Sequence, residues 1–193
     1  MTPTDARLTF RVMFRGPFHV GSGTPAEGLD STVDHEVPLP GSSLKGLMRA
    51  QALNVLQLPA SVVEAIFGSP ECESGWLWSD AAFERAPQSE RMARLKLADT
   101  DDGAAETGFL MLGEHLWASE ATFTITPRRA LDPAALTRDQ LVLRASARSI
   151  SGLGGSRRRG EGWVSVTDIR TGSATAWTVE DTRALLRLME VPA

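Results

Sequence analysis

The chain has almost no cysteine, no tyrosine and no long apolar run, and each lack removes a class of protein. A single cysteine, Cys72, among 193 residues excludes a framework of internal disulfides, and no spacing of Cys and His suits zinc. No apolar stretch approaches membrane length, and the first residues carry no apolar core of an export signal. The cytoplasm is therefore the expected compartment, with no membrane partner. Five tryptophans stand without any tyrosine, and they are too scattered to mark an aromatic platform from sequence alone. There is no tandem repeat or low-complexity tract. Basic excess is missing too: the net charge is −4 and the pI near 5.4, which argues against a uniformly basic nucleic-acid binder. The charges are sorted, however. Acids crowd residues 64–106, including Asp99, Asp101 and Asp102, whereas arginines outnumber acids over 128–170. One basic face beside an acidic segment fits that distribution.

Two segments carry the chemistry. The first, Pro38–Ala50, reads PLPGSSLKGLMRA. A Pro-Gly turn leads into a helix expected over about 43–57, with Leu44, Leu47, Met48, Ala52, Val55 and Leu56 as its apolar stripe. Ser42 or Ser43 is the natural N-cap. Lys45 and Arg49 stand at i and i+4, on one face. Free N–H groups, two hydroxyls and two cations together make a place to hold phosphate. The second segment, GLGGSRRRGEG at 152–162, brackets Arg157, Arg158 and Arg159 with glycines. A dinucleotide fingerprint needs strand, glycines, then helix; here a helical pattern precedes the glycines and a strand follows, so that reading fails. GSSLKG lacks the Gly-Lys-Ser/Thr of a P-loop. A glycine loop with arginines instead suits close approach of backbone N–H groups to a polyanion, with guanidinium groups clamping phosphate oxygens. Gly154, Gly155 and the three arginines are the candidate contacts.

The remaining pattern is alternating strand and helix. Leu8, Phe10, Val12 and Phe14 alternate with polar residues and predict a strand. A Gly- and Pro-rich loop follows over 16–41, then the basic helix and a short helix over 60–66. Gly75–Phe83 reads as a strand, and 84–107, which is polar, as irregular chain. One or two strands fall within 109–125, a helix over about 137–150, a strand over 163–169 and a weak helix over 179–190. Without the insertion this is β-α-β-β-α-β, an α+β ferredoxin-like (RRM-like) core.

The ordered motifs resemble the RAMP superfamily, and within it the repeated backbone subunits of type III CRISPR effector complexes. PFHVGSG at 17–23, DSTVDHEVPLPGSSLKGLMR at 30–49, IFGS at 66–69, GWLWSDA at 75–81, the stretch 95–123 and GLGGSRRRGEGWV at 152–164 follow one another as the family's motifs do. The resemblance spans roughly residues 8–170. It implies a single RAMP domain over 1–193 with a thumb-like insertion at about 84–113. It also implies a guide RNA (crRNA) and a target RNA as partners, with further copies, paralogous RAMP subunits and other effector-complex subunits alongside. His19, Ser42, Ser43, Lys45, Arg49, Gly154, Gly155 and Arg157–Arg159 become the expected RNA contacts.

In such subunits an aspartate of the loop before the basic helix is required for target cleavage, and Asp30 occupies that place, with Asp34 at a second acidic position. Asp30 would be both the catalytic residue and the ligand of Mg2+ or another divalent cation, because Mg2+ is often held by one or two carboxylates with water and phosphate completing its shell. The residue reading leaves Asp30 open as a simple turn residue. Two other readings stand beside cleavage: a backbone subunit that only binds the guide, and a guide-processing endoribonuclease using His19. No second histidine lies at a fixed partner spacing from His19, which favours a supporting or RNA-contacting role for it.

Overall fold

The computed structural model describes residues 6–23, 28–97, 105–170 and 173–190. The expected acidic turn at Asp99–Asp102 lies outside them. Strand β1 (Leu8–Phe14) buries Leu8, Phe10, Val12 and Phe14 and leaves Met13 exposed, as strict alternation requires. Helix α1 (Gly41–Asn54) and helix α2 (Ala60–Phe67) follow, then β2 (Trp76–Trp78) and β3 (Ala82–Phe83). Next come β4 (Gln88–Leu97), β5 (Ala105–Trp117) and β6 (Glu120–Pro127). Helix α3 (Pro133–Arg148), a single 3₁₀ turn (Arg157–Arg159), β7 (Val164–Arg170), β8 (Ser173–Ala174) and α4 (Val179–Met189) complete the order.

The main sheet runs β2-β6-β1-β7-β8, and every neighbouring pair is antiparallel. The four long-range strands thus follow the spatial order 2-3-1-4 of the β-α-β-β-α-β unit, the ferredoxin-like arrangement. Helices α1 and α3 cover one face. Their buried Leu44, Met48, Ala52, Val142, Leu143 and Ala147 meet Phe10, Val12, Phe123, Ile125 and Val166 of the sheet. Phe10 and Phe123 stack with centroids 5.1 Å apart at the centre. The edge is closed by Trp76, buried, whose indole N–H donates to Asp139 of α3 at 2.9 Å.

Three local expectations are corrected. Within the stretch expected to be irregular, the described residues 88–97 and 105–107 are strand: β4 begins at Gln88 and pairs antiparallel with β5 in a separate two-stranded sheet, from Gln88↔Trp117 to Leu97↔Ala105. Ladder hydrogen bonds hold the start of β4, where Gln88–Arg91 lack the apolar alternation that a half-buried strand shows. The strand expected over 75–83 is broken between β2 and β3, where Asp80 turns away to cap α1. Helix α1 itself starts earlier than expected, at Gly41 after Pro40, and neither serine is its N-cap. The Asp80 carboxylate accepts the Gly41 N–H at 2.7 Å and does the capping from another element.

Candidate nucleic-acid interface

The glycine loop is shaped by backbone crowding. Gly154 has φ 71°, and a Cβ there would lie 2.2 Å from the His19 carbonyl oxygen; the Gly155 N–H donates to that same oxygen at 2.8 Å. At Gly162, φ 67°, a Cβ would lie 2.0 Å from the Leu153 carbonyl oxygen, and its N–H donates to Pro17 at 2.7 Å. No side chain fits either position. The loop is thereby pressed onto residues 17–19, with buried Leu153 as its apolar anchor. What it presents outward is the Arg157–Arg159 turn, all three residues exposed.

These arginines edge a hollow of about 830 Å³ that also takes in Gln51, Ser151, Ser156 and Trp163. A second hollow of about 350 Å³ adjoins it, walled by Ser43, Gly46, Leu47 and Ala50 of α1 and by Gly154 and Arg157. Gly154 and Arg157 belong to both, so the two hollows share a wall in the glycine loop, one reaching the first turn of α1 and the other the arginine turn. The two motifs singled out in the sequence therefore meet. They do not meet through Lys45 and Arg49. The α1 face toward the loop runs 43, 46, 47, 50, and Lys45 lies on the opposite flank, its Nζ 5.6 Å from the centre of the half-buried Trp78 ring. Arg49, one turn on, shares that flank. Ser42 is exposed beside Ser43.

The aspartate loop is built differently. The Asp30 N–H donates to the Leu112 carbonyl at 2.8 Å, and the Asp30 carboxylate accepts the Leu112 N–H at 2.7 Å. This two-point clip holds the loop along β5, and Ser31 pairs in parallel with Gly113 beside it. Asp30 is exposed, and the clip uses its Oδ2. Asp34 closes a local turn by accepting the N–H groups of Glu36 and Val37 at 2.8 and 2.9 Å. Behind the loop sits Glu114, 8% exposed. It accepts from Ser89 Oγ, from the Val33 N–H at 3.3 Å and from His35 Nε2 at 2.8 Å. Burial pushes its pKa up, but these hydrogen bonds and the His35 charge outweigh burial and hold it below the ordinary value.

The histidines, unconnected in the sequence, converge on β5. His19 donates from Nδ1–H to the Glu114 carbonyl at 2.6 Å, and its ring centre lies 5.6 Å from that of His115. His115, fully buried, sits 3.1 Å from the carboxylate of buried Glu161 in the glycine loop. His19 thus links glycine loop to hairpin root, since its carbonyl holds Gly155 and its ring holds Glu114. The only sequence signal for this was the presence of all three histidines in or beside candidate segments. Among the described residues no group of three or more His, Cys, Asp or Glu could hold a metal ion. A lone exposed carboxylate such as Asp30 would suit a water-rich Mg2+ shared with RNA phosphate, not a protein-only cage.

Comparison with known proteins agrees with this layout. The family model of the RAMP superfamily matches residues 11–165. No curated protein matches the chain. A chain of the type III-B Cmr-beta complex in its apo state, solved by cryo-electron microscopy, superposes with a TM-score of 0.69 at 14% identity, covering 86% of this chain and 98% of that one. A chain of type III-B Cmr-beta bound to cognate target RNA gives 0.65 at 13% identity, covering 84% and 96%. With a ferredoxin-like core, a glycine loop seated on its first connection and a family match over most of its length, the chain belongs to the RAMP superfamily.

Proposed function

We propose that the protein is a repeated backbone subunit of a type III CRISPR effector complex that holds guide RNA in the arginine groove and cleaves the paired target RNA at Asp30. The observation that carries the reading is the pair of hollows between Ser43 and Arg159 that share Gly154 and Arg157, walled by backbone and guanidinium groups, with Asp30 fixed to the β4–β5 hairpin. Glycine backbone and arginine side chains recognise phosphate without reading sequence, so specificity lies in base pairing to the guide. The cognate target RNA bound in one of the two Cmr-beta structures fits this role. The β4–β5 hairpin, whose root the aspartate loop grips, is the element that would project between guide and target.

In the cleavage step the 2′-hydroxyl of a target ribose attacks the adjacent phosphorus in line, and the 5′-oxygen leaves. The chain's part is to hold the strand by its phosphates and to present Asp30 at the scissile one. Asp30 would hold Mg2+ through its carboxylate, and the ion would supply neutralisation of the phosphate charge. The Asp30–Leu112 clip favours a second reading, in which Asp30 is purely structural and the subunit only binds. The experiment is incubation of the purified assembly with guide and end-labelled target, with and without Mg2+. Defined cuts that need both guide and Mg2+ support the proposal. Stable target binding without cuts leaves the binding-only subunit, and metal-independent cutting of free repeat RNA makes it a guide-processing enzyme.

A further inference from the structure

Among the described residues Trp163 is the one large aromatic side chain that lines the arginine hollow, and it is 58% exposed. Leaving an indole in water forgoes the burial that favours such a residue inside. The ring is nonetheless held in place. Its Nε1–H donates to the Arg157 carbonyl at 3.3 Å, its backbone pairs with Gly152, and its carbonyl accepts the Arg15 N–H at 2.8 Å. An oriented, exposed aromatic surface therefore stands beside three guanidinium groups in a hollow of about 830 Å³, within the ~300–1,000 Å³ of small-molecule sites. Among the described residues no carboxylate lines that hollow.

The rest of the fold sharpens the point. RRM-like sheets stack bases on aromatics of their open face. Here that face carries Thr9, Arg11 and Met13 on β1, opposite Thr122 and Thr124 on β6 and Thr167 on β7. It has no aromatic on these central strands. The stacking surface missing from the sheet is found at the foot of β7 instead.

We infer that Trp163 is a base-stacking residue: an unpaired RNA base lies on the indole while Arg157–Arg159 hold its flanking phosphates. This deepens the proposed guide-binding groove and rests on it. Stacking is tolerant of sequence because every base has a π-face. The test measures binding of the full chain to two probes by fluorescence anisotropy and competition: a labelled single-stranded oligouridine, which has bases and phosphates, and inorganic polyphosphate, which has phosphates alone. Trp163→Leu should weaken oligouridine roughly tenfold or more while polyphosphate affinity and the salt slope stay unchanged. Trp163→Phe should restore most of the loss. Equal loss for both probes, or unchanged oligouridine binding in Trp163→Leu, overturns the inference. Loss of self-association with RNA affinity intact would overturn it in favour of a subunit contact. If the unaltered chain binds neither probe, the groove assignment itself fails; if it binds both and only the tryptophan is indifferent, the failure is confined to Trp163.

Discussion

The arginine groove and the aspartate loop rest on the same residue, His19, yet they are built on opposite plans. In the groove the loop backbone is locked by Gly154 and Gly162 while the side chains of Arg157–Arg159 face solvent. In the aspartate loop the side chains themselves are committed: Asp30 to Leu112, Asp34 to its own turn, His35 to Glu114. A site for a long polyanion gains from a rigid floor and uncommitted charges. A site that must place one carboxylate beside a phosphate gains from fixing that carboxylate before RNA arrives.

The contrast breaks most visibly at the arginines. Replacing Arg157, Arg158 and Arg159 together by Ala should weaken single-stranded RNA binding by roughly a hundredfold or more at low salt. The log–log salt slope should fall by about 2, at ~0.7 per lost phosphate contact. The fold should stay intact, as a thermal melt would show, because these side chains are exposed. A sequence-selective loss would show that the groove reads bases directly.

Glu114 probes the opposite plan. Glu114→Ala removes a buried acceptor from Ser89, Val33 and His35, and the expected loss is about 2 kcal/mol of stability by urea titration. Hydrogen exchange at the Val33 amide should speed up while α3 amides keep their protection. Because the folded pKa of Glu114 lies below its ordinary 4.5, its stabilisation is complete above that value and is lost as the pH falls through the lowered pKa. Acid loosening of the loop should therefore disappear in the Glu114→Ala variant. Loosening at the same pH in both proteins would assign it elsewhere.

The smallest effect is expected at the other flank of α1. Lys45→Ala with Arg49→Ala should lower RNA affinity only a few-fold, well short of the arginine-turn variant, since Lys45 is engaged with Trp78 and both lie away from the groove. A loss as large as that of the arginine turn would mean that RNA wraps both flanks.

The sequence made some of this readable and hid the rest for physical reasons. β1 and the core side of α1 follow from periodicity, because burial on one face imposes it. The helix face shared by Lys45 and Arg49 was also legible, but which flank meets the glycine loop depends on how α1 lies on the sheet. Helix α3 starts four residues before the expected 137: Asp132 caps the helix by accepting the Ala134 and Ala135 N–H groups, with Pro133 in the first turn, and that Asp-Pro signal precedes the apolar pattern. The β4–β5 hairpin was missed because Gln88–Arg91 carry no apolar alternation. The convergence of His19, His35 and His115 was invisible, since it is made by pairing between distant strands.

The decisive measurement compares Asp30→Asn with the unaltered chain in the guide-loaded assembly, reading target affinity and cleavage rate separately. Asparagine keeps an oxygen to accept the Leu112 N–H but loses the charge, so the clip survives and the metal-binding carboxylate does not. Guide and target affinity should be unchanged in Asp30→Asn while cleavage falls by orders of magnitude. Unchanged cleavage in Asp30→Asn would contradict it.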